Sequence, residues 1–332
     1  MSNRSLKLLS AICLLLIARL SPAAEPANPL LLDNALYVSE QGVHKFDLDT
    51  LEKLWSSLTG VETFAPVSSG ELILVGSTQG LYALNPDNGA VAWHIEKQRS
   101  IFSPVVSGQV FAGSIHGELY SIDPGDGKIN WRRQFPGWIY SPAVDAESGL
   151  LWSGGQAHKA YSINIADGRL VKEITTTQEH VFSPVNIGHN RIAFNLFDGS
   201  TLILQSPMGK IVGSLSGSVQ PKDIYRYGQT IYRSDRGGGL SAFRLDNLSQ
   251  MWHRTLVTRD LNMHPARPGF LLLSDQDQRL ILFDLENEGE IRRLQISGKW
   301  LAPIQVDARK IVYFQKLMQP PWLVAVQPTA TF

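Results

Sequence analysis

Few side chains in this 332-residue chain stand at spacings that could carry out chemistry. The eight histidines, His44, His94, His116, His158, His180, His189, His253 and His264, fall in unrelated phases, with no HExxH and no pair that would set two imidazoles on one metal. Asp275-Gln276-Asp277 carries two carboxylates of a calcium loop but lacks the downstream Gly and Glu. Gly237-Gly238-Gly239 is followed by a strand pattern rather than by Lys and a helix start, so it reads as a hairpin tip and not as a phosphate cradle. There is no Gly-x-Ser-x-Gly elbow. The expectation is a chain with no catalytic, cofactor-binding or metal-binding residues, and not an enzyme. One set of charges can still do something: Arg233, Asp235 and Arg236 stand at one turn, and Asp275, Asp277 and Arg279 at the equivalent turn of the next unit. Placed side by side they would make a mixed-charge rim, with arginines for a partner's carboxylates and aspartates for its arginines or backbone. The plain alternative is solvated surface charge, worth little as isolated pairs.

The elements that must position these residues are repeats. Residues 81–93, LYALNPDNGAVAW, are echoed 38 residues later at 119–131, LYSIDPGDGKINW. Each copy reads as an alternating apolar strand, a turn on Asn or Asp and Gly, and a second strand closed by Trp, which is a β-hairpin. Further copies stand at 43–55, 160–172 and 240–252, with weaker ones from Thr201, Leu280 and Trp322. Between hairpins recurs Phe64-Ala65-Pro66-Val67, Phe102-Ser103-Pro104-Val105, Tyr140-Ser141-Pro142-Ala143 and Phe182-Ser183-Pro184-Val185. Its proline has no ladder donor and marks the start or edge of a strand.

Each unit then has four strands in about 40 residues, the size of a propeller blade. No window outside the N-terminus has a helical period. The class is all-β, and the count of third strands predicts an eight-bladed β-propeller of four-stranded antiparallel blades. The last blade is either three-stranded or completed by residues 25–32. Trp55, Trp93, Trp131 and Trp252 recur at the thirteenth position, where a flat side chain can wedge between blades. Asp47, Asn85, Asp123, Asn164 and Asp284 precede the turn, where a short polar side chain caps the backbone. Gly89, Gly127, Gly168 and Gly209 share one turn position that calls for positive φ.

The phrase L-Y-A-L-(N/D)-x-x-x-G-x-x-x-W resembles the repeat of the pyrroloquinoline-quinone-type β-propellers and covers nearly the whole chain after its N-terminus. The resemblance implies one of two functions. Quinoprotein dehydrogenases of this type bind the quinone and calcium in a central funnel, with an adjacent cysteine pair beside the quinone, in chains nearly twice this length. Small eight-bladed relatives similar to BamB, the propeller subunit of the outer-membrane β-barrel assembly machinery, bind no cofactor and act as scaffolds. The only cysteine is Cys13. The expectation is therefore a BamB-like scaffold that docks protein partners, the alternative being a quinone- or small-ligand-binding redox accessory.

Arg4 and Lys7, the apolar run 8–18 and the small residues Ser21-Pro22-Ala23-Ala24 lay out a secretory signal over residues 1–24, ahead of a single propeller domain at 25–332. The apolar run is short of the roughly 20 residues that span a bilayer. Ile12 stands where a lipoprotein-processing peptidase wants a small residue, which argues against a lipid anchor at Cys13. A periplasmic monomer without a transmembrane span is expected. The charge is balanced at 30 basic and 30 acidic residues, and the basic ones are scattered, so nucleic acid is not an expected partner. Melting should be unchanged by chelator, or by calcium with quinone; a rise of several degrees with the latter would favour the quinone-binding alternative.

Overall fold

The computed structural model describes residues 28–176, 181–217, 220–265, 268–277 and 279–295, and the strands Pro303–Gln305, Ile311–Gln315 and Trp322–Val326. The signal segment expected at 1–24, with Cys13, lies outside the described residues. No helix among the described residues is long and apolar enough to cross a membrane.

The chain forms seven four-stranded antiparallel sheets, each with its strands in chain order, followed by a three-stranded sheet. The seven blades occupy 30–57, 67–95, 105–134, 143–175, 181–215, 221–255 and 262–295. This corrects the expectation of eight four-stranded blades to seven. The last unit supplies three strands, and no Trp-bearing fourth strand follows Val326 among the described residues. Nor does residue 30 onward complete that unit. Leu30–Leu32 pairs in register with Ala35–Ser39, Leu30 opposite Tyr37, and is the first strand of blade 1.

In blade 2 every residue of the second and third strands, Ile73–Ser77 and Gly80–Leu84, is buried, whereas in the fourth, Val91–Ile95, only Trp93 is. Middle strands have a neighbouring blade on each face, so both faces must be apolar; that is why they read as continuous apolar runs. The core accordingly lies between blades. Leu74, Leu81 and Ala83 of blade 2 pack with Val110, Ala112, Tyr120 and Ile122 of blade 3, and Ile187, Ile203 and Leu215 of blade 5 with Ile231 and Phe243 of blade 6. The first strands of successive blades neighbour one another and make the inner ring.

The turn between third and fourth strands is built as its residues suggest. Asp123 Oδ1 accepts the Gly125 N–H at 2.8 Å, and Asn85, Asp47 and Asp284 do the same for Asp87, Asp49 and Glu286. At the fourth residue of the turn, Gly89, Gly127, Gly168 and Gly209 have φ of 71, 74, 67 and 63°. Positive φ is not the whole reason for glycine, because Leu51, Leu248 and Glu288 adopt φ of 61, 61 and 51° at the same position. The second reason is the preceding blade. A Cβ on Gly89, Gly127 or Gly168 would lie 2.7, 2.7 or 2.6 Å from the indole of Trp55, Trp93 or Trp131. Each of those indoles also donates its N–H to the same turn: Trp55 to Pro86 O at 3.0 Å, Trp93 to Pro124 O at 3.0 Å and Trp131 to Ile165 O at 2.9 Å.

Trp93→Ala and Trp131→Ala are expected to cost about 3–5 kcal/mol each, and His116→Ala, on an exposed hairpin tip, close to nothing. Gly127→Ala should be as damaging as Trp93→Ala, since the methyl needs the space that the indole fills. Urea unfolding of the four proteins is the measurement.

Candidate docking face

Turns between second and third strands share one face of the propeller with the connectors that lead from each fourth strand to the next blade. The expected charged rim lies here, and the structure divides it. Arg233 belongs to the strand Thr230–Asp235 and is 1% exposed. Its guanidinium donates to Thr201 Oγ1 at 3.1 Å, Leu215 O at 2.9 Å and Ser216 O at 2.8 Å, and stacks over Phe243 with 5.0 Å to the centroid. Burial, only partly offset by Asp235, pulls its pKa down to about 10. Asp235, also buried, accepts the Gly239 N–H, and buried Asp275 accepts the Arg279 N–H at 2.8 Å. Arg233, Asp235 and Asp275 are therefore internal, a correction to the rim. The strand runs on through Asp235, so the exposed turn starts later than the charges do.

Arg236, Asp277 and Arg279 remain partly exposed. Asp277 takes the Thr258 hydroxyl and the Arg279 guanidinium, the latter at 2.9 Å, with Arg259 at 3.7 Å. The hydroxyl first, and then the arginines, lower its pKa. Because Thr258 and Arg259 come from the connector leaving blade 6, this group joins blades 6 and 7, as the equivalence of the two turns implies.

Sequence reasoning missed an aromatic row. Each connector is stitched across a seam: Ile101 donates to Ser77 O of blade 2 and Phe102 to Gly113 O of blade 3, and Ile139 and Tyr140 repeat this one blade on. The residue before each Ser-Pro or Ala-Pro is thereby held at the mouth of the inner ring. Phe64 and Phe102 have centroids 6.0 Å apart, Phe102 and Tyr140 5.4 Å, and Tyr140 and Phe182 6.0 Å, with Trp138 6.5 Å from Phe102. All but Tyr140 are half-buried. The signal was present as the aromatic in every copy of the phrase.

Blades 5–7 line the other part of the mouth with polar groups. A cavity of about 270 Å³ is lined by Asn195, Lys222, Asp223, Tyr225 and Met263 among others. Lys222 donates to Asn262 Oδ1, and Asp223 Oδ2 accepts the Met263 N–H at 2.8 Å and the Ser234 hydroxyl at 3.3 Å. Asp260 stands 3.8 Å from Lys222 and 3.7 Å from Arg236. These carboxylates are already engaged by cations or N–H and O–H donors, and no three His, Cys, Asp or Glu among the described residues gather as a metal site. The described donor set does not fit a calcium-dependent quinone.

His264 places Nε2 3.1 Å from Ser274 Oγ. Burial, together with the Lys222 charge, pushes its pKa from 6.5 down to about 4. The unfolded chain takes up this proton first, so the stabilisation is complete above pH 6.5 and is lost as pH falls toward 4. The loss is on the order of 3 kcal/mol. His44, lowered by its own burial, acts in the same direction. Melting measured at successive pH values should fall steeply across that interval in the wild type and less in His264→Gln; parallel curves would count against the assignment.

Over residues 39–294 the chain matches the family model for outer membrane protein assembly factor BamB. No curated protein matches it in sequence. Among solved structures it is similar to BamB from Moraxella catarrhalis, with TM-score 0.70 and 16% identity over 86% of this chain and 92% of that one. It is also similar to the computationally designed Ika8 protein, with TM-score 0.74 and 12% identity over 87% and 93%. Likeness at these identities speaks to the fold.

Proposed function

Because the chain belongs to the BamB family, we propose that it is an exported, non-catalytic platform on which protein partners dock during outer-membrane protein assembly. The single observation that carries the docking part is the face just described, which bears half-buried aromatics at the connectors of blades 1–5 and a partly exposed ion-pair group at the turns of blades 6 and 7. Phe64, Phe102, Trp138 and Phe182 offer flat apolar surface held by the stitched connectors. Arg236, Arg259, Asp277 and Arg279 offer paired charge at blades 6 and 7 of the same face. An aromatic centre with a polar margin is how protein interfaces divide their labour, the first for affinity and the second for orientation and rate. The layout of residues 1–24 supports export to the periplasm.

Capture of a partner from a periplasmic extract tests this. Trp138→Ala should lower capture by about tenfold, as expected for a central aromatic, and Arg236→Glu with Asp277→Lys should lower it more in low salt than in high salt, where the charges are screened. Both proteins should melt close to the wild type. Undiminished capture by both would end the reading.

A further inference from the structure

The outer edge of blades 4 and 5 brings together groups that lie far apart in the chain. Four large apolar side chains are exposed there: Leu170 at 45% and Val171 at 42% on the fourth strand of blade 4, Met208 at 54% in the turn of blade 5, and Ile211 at 51% on its fourth strand. The fourth strand of blade 4 and the turn of blade 5 touch across the seam. The Lys172 ammonium donates to Met208 O, and a Cβ on Gly209 would lie 3.0 Å from both the Lys172 stem and Ile174. On blades 1, 2 and 6 the outer strands expose a single large apolar residue each, Leu54, Val91 and Met251.

Cations frame the patch. Arg169, Lys172 and Lys210 alternate with the apolar residues and are exposed, and Arg133 reaches over from blade 3 to donate to Gly168 O at 2.8 Å and Asp167 O at 2.9 Å. The neighbouring carboxylates are engaged: Asp167 Oδ1 accepts the Arg169 N–H at 2.9 Å, and Glu173 holds Lys159. The exposed aromatic of blade 5, Phe197 at 42%, lies in the turn after the strand Arg191–Leu196 and not on the fourth strand. Protein interfaces are depleted in lysine at their centres and enriched in aromatics. Aliphatic residues interleaved with Lys and Arg on a convex edge match instead the headgroup boundary of an anionic bilayer, where methyl and thioether groups enter the acyl region and long basic side chains reach the phosphates.

We propose that the outer edge of blades 4 and 5 is a peripheral binding site for an anionic membrane surface. Leu170, Val171, Met208 and Ile211 enter the bilayer boundary, and Arg133, Arg169, Lys172 and Lys210 bind lipid phosphates. The propeller then stands on its edge, with the docking face perpendicular to the membrane and open.

The test uses the full chain carrying Cys13→Ser and Met208→Cys, labelled at residue 208 with an environment-sensitive dye, so that the readout belongs to this edge and not to the apolar N-terminus. Vesicles of phosphatidylcholine with roughly a third phosphatidylglycerol should blue-shift the dye, and phosphatidylcholine alone should not. The same label at Met251→Cys, on blade 6, should stay unshifted. Adding Arg169→Glu and Lys210→Glu should weaken the apparent affinity at residue 208 by at least about tenfold, with melting unchanged, as should about 0.5 M salt. An equal shift on neutral vesicles, an equal shift at both labels, or no effect of the charge reversals would overturn the proposal. So would a shift at residue 208 with a protein fraction but with no vesicles, which would assign the edge to a protein.

Discussion

Most seams of this fold depend on one repeated contact, an indole of one blade seated on the turn of the next. The indole N–H satisfies a carbonyl in that turn, and the ring lies against the glycine that allows it to approach. Size is therefore conserved across a seam rather than within a blade. Where blade 5 has Gly213 in place of the Trp, blade 6 has Leu248 in place of the turn glycine, and a Cβ on Gly213 would lie 2.7 Å from the Leu248 side chain. Where blade 4 has Lys172, the ring that reaches the turn of blade 5 is Trp152, whose N–H donates to Ser206 Oγ at 3.0 Å. Trp252 meets Glu288 and donates to its carboxylate at 2.7 Å. Large and small trade places, and the spacing between blades stays the same.

The seam between blades 5 and 6 lacks an indole and is crossed by guanidinium groups. Arg191 donates to Leu245 O of blade 6, Arg226 of blade 6 to Ile187 O of blade 5, and Arg233 to Leu215 O and Thr201 Oγ1. A buried arginine without a close carboxylate is costly unless its N–H groups find acceptors. Backbone carbonyls at the sheet ends supply them, which is why Arg233 was unavailable for docking even though its residue type suggested otherwise.

With the seams fixed in this way, the surface separates by function. Connectors carry the aromatic row and the charged group to one face, because each is pinned to the second strands of two successive blades. The fourth strands, with no blade beyond them, form the outer edge; what they display is free of packing constraints, so basic and aliphatic residues can collect there.

The sequence by itself determined the repeat, the four-strand unit, the wedge role of the Trp positions and the capping Asp and Asn, because these are local patterns that every copy must satisfy to fold. It located part of the charged group, since Arg236, Asp277 and Arg279 do lie at adjacent turns. Only the tertiary structure decided that Arg233, Asp235 and Asp275 are internal, because burial depends on where a strand ends and what the neighbouring blade places above it. It alone joined Phe64 to Phe182 through their intervening aromatics, and Arg133 to Lys210 through residues 167–172. Residues some 40 positions apart become neighbours across a seam, and no pattern within one repeat can show what two repeats build together.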